Sequence, residues 1–146
     1  MTAAALVVAL LALVPRANPK LAKRIAPVLV LEAERGGVPV ELLAALAWHE
    51  SGWNPWARNP ATDTRGLLQL APVHWQAMRP QQSSWSPSSN ARAGARILRG
   101  YLAECGGDEM GAVARYHGRK TCVPDAWARE VVLMSRMLKR AAEVKS

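Results

Sequence analysis

Glu50 closes an apolar run, VELLAALAWHE, and Ser51-Gly52 follows it. A carboxyl group at the C-terminal end of a buried helix faces the negative end of the helix dipole. Apolar and aromatic neighbours add a desolvation penalty on its charged form. Both effects raise its pKa, and a carboxyl group kept protonated near neutral pH is a general acid. Trp48, Trp53 and Trp56 flank it, and indole faces can wall a groove on which sugar rings stack. The competing reading is a surface glutamate on a frayed helix end beside packed Trp side chains. Asp63 is the one other carboxylate between Ser51 and Ala103. A two-carboxylate glycosidase needs a second acid several ångströms from the first, so Asp63 is the candidate second carboxylate. Its alternative is a turn residue bonded to its own loop backbone.

The elements that must hold these groups are helices. Asn18-Pro19 marks a cap and first helical position, and a helix runs from there to about Arg35, bent or broken near Pro27 and stopped by Gly36-Gly37. Pro39 opens a buried helix over Val40 to Glu50. Ser51 to Thr64 reads as an ordered loop, Gly66 to Met78 as a short apolar helix or turn interrupted by Pro72, and Pro80 to Asn90 as a Ser-rich loop. Helices follow over Ala91 to Glu104, from Asp108 or Glu109 to Tyr116, and over Ala126 to about Ala142. Alternating β-branched runs are missing, so the fold class is all-α or mainly α. Asn90 fits a helix N-cap.

The chain has 146 residues, half of them hydrophobic, which suits one domain with a real core and excludes a disordered chain. Its net charge of +8 suits a polyanionic partner or a solvated Arg-rich surface. Thr2 to Val14 is unbroken apolar sequence ended by Pro15, too short for a membrane span of roughly 20 residues. It has the length of a signal-peptide core, yet its basic residues follow rather than precede it. An atypical signal, a weak membrane anchor and a buried first helix all stay open, and residues 1–17 are set apart from a domain over 18–146. Cys105 and Cys122 lack a metal-ligand spacing, so no metal is expected. They form either a disulfide, favoured by export, or two buried thiols.

Four segments in series carry a resemblance. They are Glu50-Ser51 with Asn54-Pro55 and Ala57, GLLQL (Gly66 to Leu70), NARAGARIL (Asn90 to Leu98) and CGGDEMGAVARYHG (Cys105 to Gly118). Together they resemble the SLT-type lytic transglycosylases of the lysozyme-like superfamily, over roughly Lys20 to Lys139. The chain departs from that pattern at Leu68, where the family has Met, at His117, where it has Asn, and at Arg115, where it has a small residue. These changes bear on substrate preference more than on chemistry.

The resemblance implies a lysozyme-like catalytic domain that cleaves the bond between N-acetylmuramic acid and N-acetylglucosamine and leaves a 1,6-anhydro sugar. It implies Glu50 as the single general acid and base, with no cofactor. Ser51, Leu68, Gln69, Tyr116 and His117 become the substrate-binding candidates. Each has a plainer reading: a helix-stop Ser, a conservative apolar residue, a core-edge Gln, a satisfied buried Tyr and a loop His. His49 points to another helix face and reads as structural. The implied partner is a peptidoglycan glycan strand and the implied place the cell envelope, for a monomer with membrane contact through residues 2–14. A phage lysis enzyme and a bacterial wall-remodelling enzyme fit equally. The alternatives are a muramidase using Glu50 with Asp63, and a basic helical DNA-binding protein. Basic residues spread over the whole chain, with no stripe of base-reading side chains, weigh against nucleic acid.

Overall fold

A computed structural model describes residues 1–145. Seven helices occur among them, with one minimal antiparallel ribbon. Helix α1 (Ala3–Leu13) is capped by Thr2, whose Oγ1 accepts the Ala5 N–H at 3.1 Å. The stretch with three sequence readings is here a packed helix. It buries Leu6, Val7, Ala9 and Leu10, and lies against α2 (Pro19–Gly36) and α7 (Ala126–Lys145). No helix among the described residues is long and apolar enough to cross a membrane.

Asn18 caps α2 by accepting the N–H groups of Lys20 and Leu21, and Gly37 ends it with φ +67°. The helix is not broken at Pro27 and runs through it. Pro27 lies on the exposed face, where water can satisfy the carbonyl that the ring deprives of a donor.

Helix α3 (Val40–Ser51) is the centre of the core. Leu42 to Ala47 are all buried, and α3 packs against α2 and α7. Leu42, Leu43 and Leu46 each contribute about 2 kcal/mol by leaving water. Gly52, at φ +62°, ends the helix one residue beyond Ser51.

The loop after α3 holds β1 (Arg58–Asn59) and β2 (Thr64–Arg65), with Arg58 opposite Arg65. Like charges in that register repel, and Asp63 at the turn offsets this by accepting from both guanidinium groups. The short helix α4 (Pro72–Trp75) leads to α5 (Pro87–Glu104). Helix α5 starts a turn earlier than expected. Ser86 is its cap, Pro87 its first residue, and Asn90 lies inside it, fully buried. Helix α5 packs on α2 and on α6 (Glu109–Tyr116), which in turn packs on α7. The buried Glu32 of α2 accepts from Nε and Nη2 of Arg92 on α5, at 3.0 and 3.2 Å. A disulfide joins Cys105, just after α5, to Cys122, beyond α6, and closes the segment that carries Tyr116.

Candidate active site

Glu50 sits one residue before the end of α3, half-buried at the edge of the core. Burial alone pushes its carboxyl up to about 7. No cation and no hydrogen-bond donor among the described residues offsets the lost hydration. The side chain is therefore an acid poised to give up a proton near neutral pH.

The segment joined to the end of α3 is held by an interlocked set of hydrogen bonds. Ser51 Oγ lies 3.1 Å from the Ala47 carbonyl oxygen and 2.8 Å from that of Leu67, so its hydroxyl ties the end of α3 to the GLLQL segment. Asn90 Oδ1 accepts the Leu68 N–H at 2.8 Å, while its Nδ2 donates to the carbonyls of Arg65 and Ser84, both at 2.9 Å. A Cβ on Gly66 (φ +80°) would lie 2.2 Å from Asn90 Nδ2, so only glycine fits there. A Cβ on Gly94 would lie 2.5 Å from Leu68 Cγ. The Asn90-x-x-x-Gly94 spacing thus puts a clamp and a gap on one face of α5, both used by the same loop. Asn90 is not the N-cap expected of it, and this clamp is the residue that reading by type missed. Its signal was position, four residues beyond Ser86-Pro87.

Tyr116 ends α6, and its hydroxyl donates to the Leu68 carbonyl oxygen at 2.7 Å. Burial raises its pKa well above the usual phenol value, and the nearby Glu50 charge adds to this. The phenol stays a donor, and the two groups sense each other electrostatically. Gln69 adopts φ +48°. Its Nε2 donates to the carbonyls of Ala57 and Gly66 at 3.0 Å, and its Oε1 accepts from Thr64 at 2.7 Å. One acceptor position on Oε1 is left for a ligand. Gln69 and Tyr116 both line a cavity of about 210 Å³, with His74, Ile97, Tyr101 and Arg115.

Other candidates sit differently. Leu68 is fully buried against Gly94, so its side chain offers nothing to a ligand; its peptide unit matters instead. His117 is exposed, stacks on Trp127 at 4.2 Å and meets Asp125 at 3.1 Å. His49 pairs with the Ala45 carbonyl at 3.0 Å and meets the edge of Trp127. Of the three flanking indoles, Trp53 is a core residue. It is 1% exposed, and its Nε1 donates to the Ala44 carbonyl at 3.0 Å. Trp56 is 64% exposed and Trp48 half-buried, which leaves Trp56 with an open face.

Asp63 is committed to cations. Oδ1 accepts from Arg58 at 2.7 Å and from Arg65 at 3.1 Å, and Oδ2 accepts from Arg65 at 3.2 Å. These bonds hold its carboxyl below the usual range. Arg65 in turn lies 3.7 Å from the Trp75 ring, whose Nε1 donates to the Asp63 carbonyl. Glu104, Cys105 and Cys122 come within 4.8 Å of one another, but both sulfurs are joined to each other and offer no thiolate.

Two comparisons bear on the family of this chain. The family model described as "Transglycosylase SLT domain" matches residues 29–130, a span that contains Glu50, Asn90 and Tyr116. A 75-residue stretch is 33% identical to the membrane-bound lytic murein transglycosylase F of Pasteurella multocida (strain Pm70). That match covers 51% of this chain and 15% of the relative.

Proposed function

Because the chain belongs to the transglycosylase SLT domain family, with the mainly α, lysozyme-like architecture that this entails, we propose that it cleaves peptidoglycan strands as a lytic transglycosylase. The observation that carries this reading is Glu50, raised to about 7 by burial with no carboxylate partner. Its proton passes to the oxygen linking N-acetylmuramic acid to N-acetylglucosamine, and the C1–O bond breaks. The carboxylate left behind is poorly solvated and strongly basic for its type. It takes the proton of the muramic 6-hydroxyl as that oxygen closes onto C1. One carboxyl group serves both steps, no water is consumed, and a 1,6-anhydro sugar results.

Tyr116 is assigned to positioning the Leu68 peptide unit near Glu50. Gln69 presents its free Oε1 acceptor position to the sugar, Ser51 fixes the loop, and Trp56 offers a stacking face. The muramidase reading needs Asp63 as nucleophile or base. Its bonds to Arg58 and Arg65 weigh against that, since they stabilise a charge already satisfied. The cell envelope is the assigned place of action, in phage lysis or in bacterial wall remodelling.

A turbidity assay on purified peptidoglycan tests this reading. Glu50→Gln keeps the shape of the side chain without its proton chemistry. Lysis is expected to fall by about 10²–10⁴-fold. Undiminished lysis would remove Glu50 from the mechanism.

A further inference from the structure

Several arginines of this protein hold carboxylates. Arg35 and Arg92 hold Glu32, Arg58 and Arg65 hold Asp63, and Arg115 holds Glu104. Arg79 and Arg96 are different. Their guanidinium groups take no ion pair or hydrogen bond among the described residues. Both line one cavity of about 200 Å³, together with His74, Gln82, Ser89 and Arg92. A second trough, of about 510 Å³, shares Arg92 and Arg96 and adds Arg35 and Arg99. The carboxylate lining it is Glu32, which is 1% exposed and already bound by two arginines. The walls therefore hold uncompensated positive charge around an open space, and guanidinium forks match planar oxyanions.

The location favours one source for the anion. His74 lines both this cavity and the one formed by Gln69 and Tyr116, and Arg96 and Ile97 are neighbours on α5 facing the two spaces. A polymer lying along Tyr116 would carry its side branches past His74 toward Arg96. No Trp or Tyr ring lines the arginine cavity, where His74 is the one ring, so it lacks the run of large stacking faces that single-stranded nucleic acid uses. We propose that Arg79 and Arg96 bind carboxylates on the peptide stems of the strand being cleaved, so that the enzyme prefers stem-bearing to naked glycan. This rests on the peptidoglycan reading above and adds a stem-binding site to it.

The test measures binding without turnover. Binding of Glu50→Gln protein is measured by calorimetric titration with soluble glycan strands, either intact with their stems or stripped of them by an amidase. The inference predicts at least about fivefold tighter binding to the intact material at low salt, and a smaller preference as salt rises. Adding Arg79→Gln and Arg96→Gln abolishes that preference, and Arg79→Lys with Arg96→Lys restores part of it. Both positions are exposed, and thermal melts confirm that the variants fold. Equal binding to the two materials, or a preference that survives the double Gln replacement, overturns the inference and leaves the catalytic reading standing. Binding to neither material contradicts both.

Discussion

The Tyr116 hydroxyl donates to the Leu68 carbonyl oxygen at 2.7 Å, across 48 residues of chain. The N–H of the same residue is held from the other side by Asn90 Oδ1 at 2.8 Å. Leu68 is thus fixed at both of its backbone polar groups, and its side chain is locked over Gly94. Tyr116→Phe removes one clamp and leaves a carbonyl without its donor. The expected result is a kcat lower by about ten- to hundredfold, with a smaller change in KM, because the loss is of positioning. Steady-state kinetics on soluble glycan strands measure the split. A change confined to KM would make Tyr116 a binding residue only.

Asn90 carries three hydrogen bonds from a fully buried side chain. Asn90→Ala strands the Leu68 N–H and two carbonyls at once. A loss of about 2–4 kcal/mol in unfolding free energy is expected by urea titration. Ser86→Ala removes only the cap bond and should cost about 1 kcal/mol. Equal losses would put the clamp on the wrong residue.

Glu50 links function to stability with a definite sign. Its folded pKa, about 7, lies above the ordinary 4.5, so the folded state holds the proton more tightly than the unfolded one. Stability from this group is full below about pH 4.5 and is lost as pH rises through 7. Glu50→Gln removes that loss. The variant should melt with the wild type near pH 4.5 and be about 1–3 kcal/mol more stable at pH 8. Paired thermal melts at the two pH values decide it. A variant no more stable at pH 8 would mean that Glu50 titrates like an ordinary surface carboxyl.

The raised carboxyl of Glu50 was legible in the sequence because two simple signals converge on it. The Leu- and Ala-rich run makes α3 buried, and Gly52 stops it beside Glu50. The helical order of the chain was legible for the same kind of reason. What lay outside local pattern was not. Trp53 reads as a groove indole, yet φ +62° turns it into the core to meet Ala44. Asn90 is a common cap residue, and only the three-dimensional return of the GLLQL segment shows it spanning Arg65, Leu68 and Ser84. Asp63 offers a lone carboxylate in sequence, but the pairing of β1 with β2 brings Arg58 and Arg65 onto it. The start of α5 was hidden because Ser-Pro-Ser-Ser reads as loop until Ser86 is placed at the cap.

The Cys105–Cys122 bridge spans 17 residues and ties α5 to the segment beyond α6. Closing a loop of that length stabilises the fold by about 3 kcal/mol in the chain-entropy account. Cys105→Ser with Cys122→Ser should lower the unfolding free energy by that order. It should also loosen α6, which hydrogen exchange at Val113 to Tyr116 reads directly. Unchanged exchange there would separate the bridge from the placement of Tyr116.

The most direct test of the central claim is mass spectrometry of the fragments released from purified peptidoglycan by the wild-type protein. A single carboxyl group acting as acid and then base predicts fragments ending in 1,6-anhydro-muramic acid, one water lighter than reducing-end sugars. Reducing-end fragments would contradict the account, and Asp63 freed from Arg58 and Arg65 would then be the first group to examine as the base.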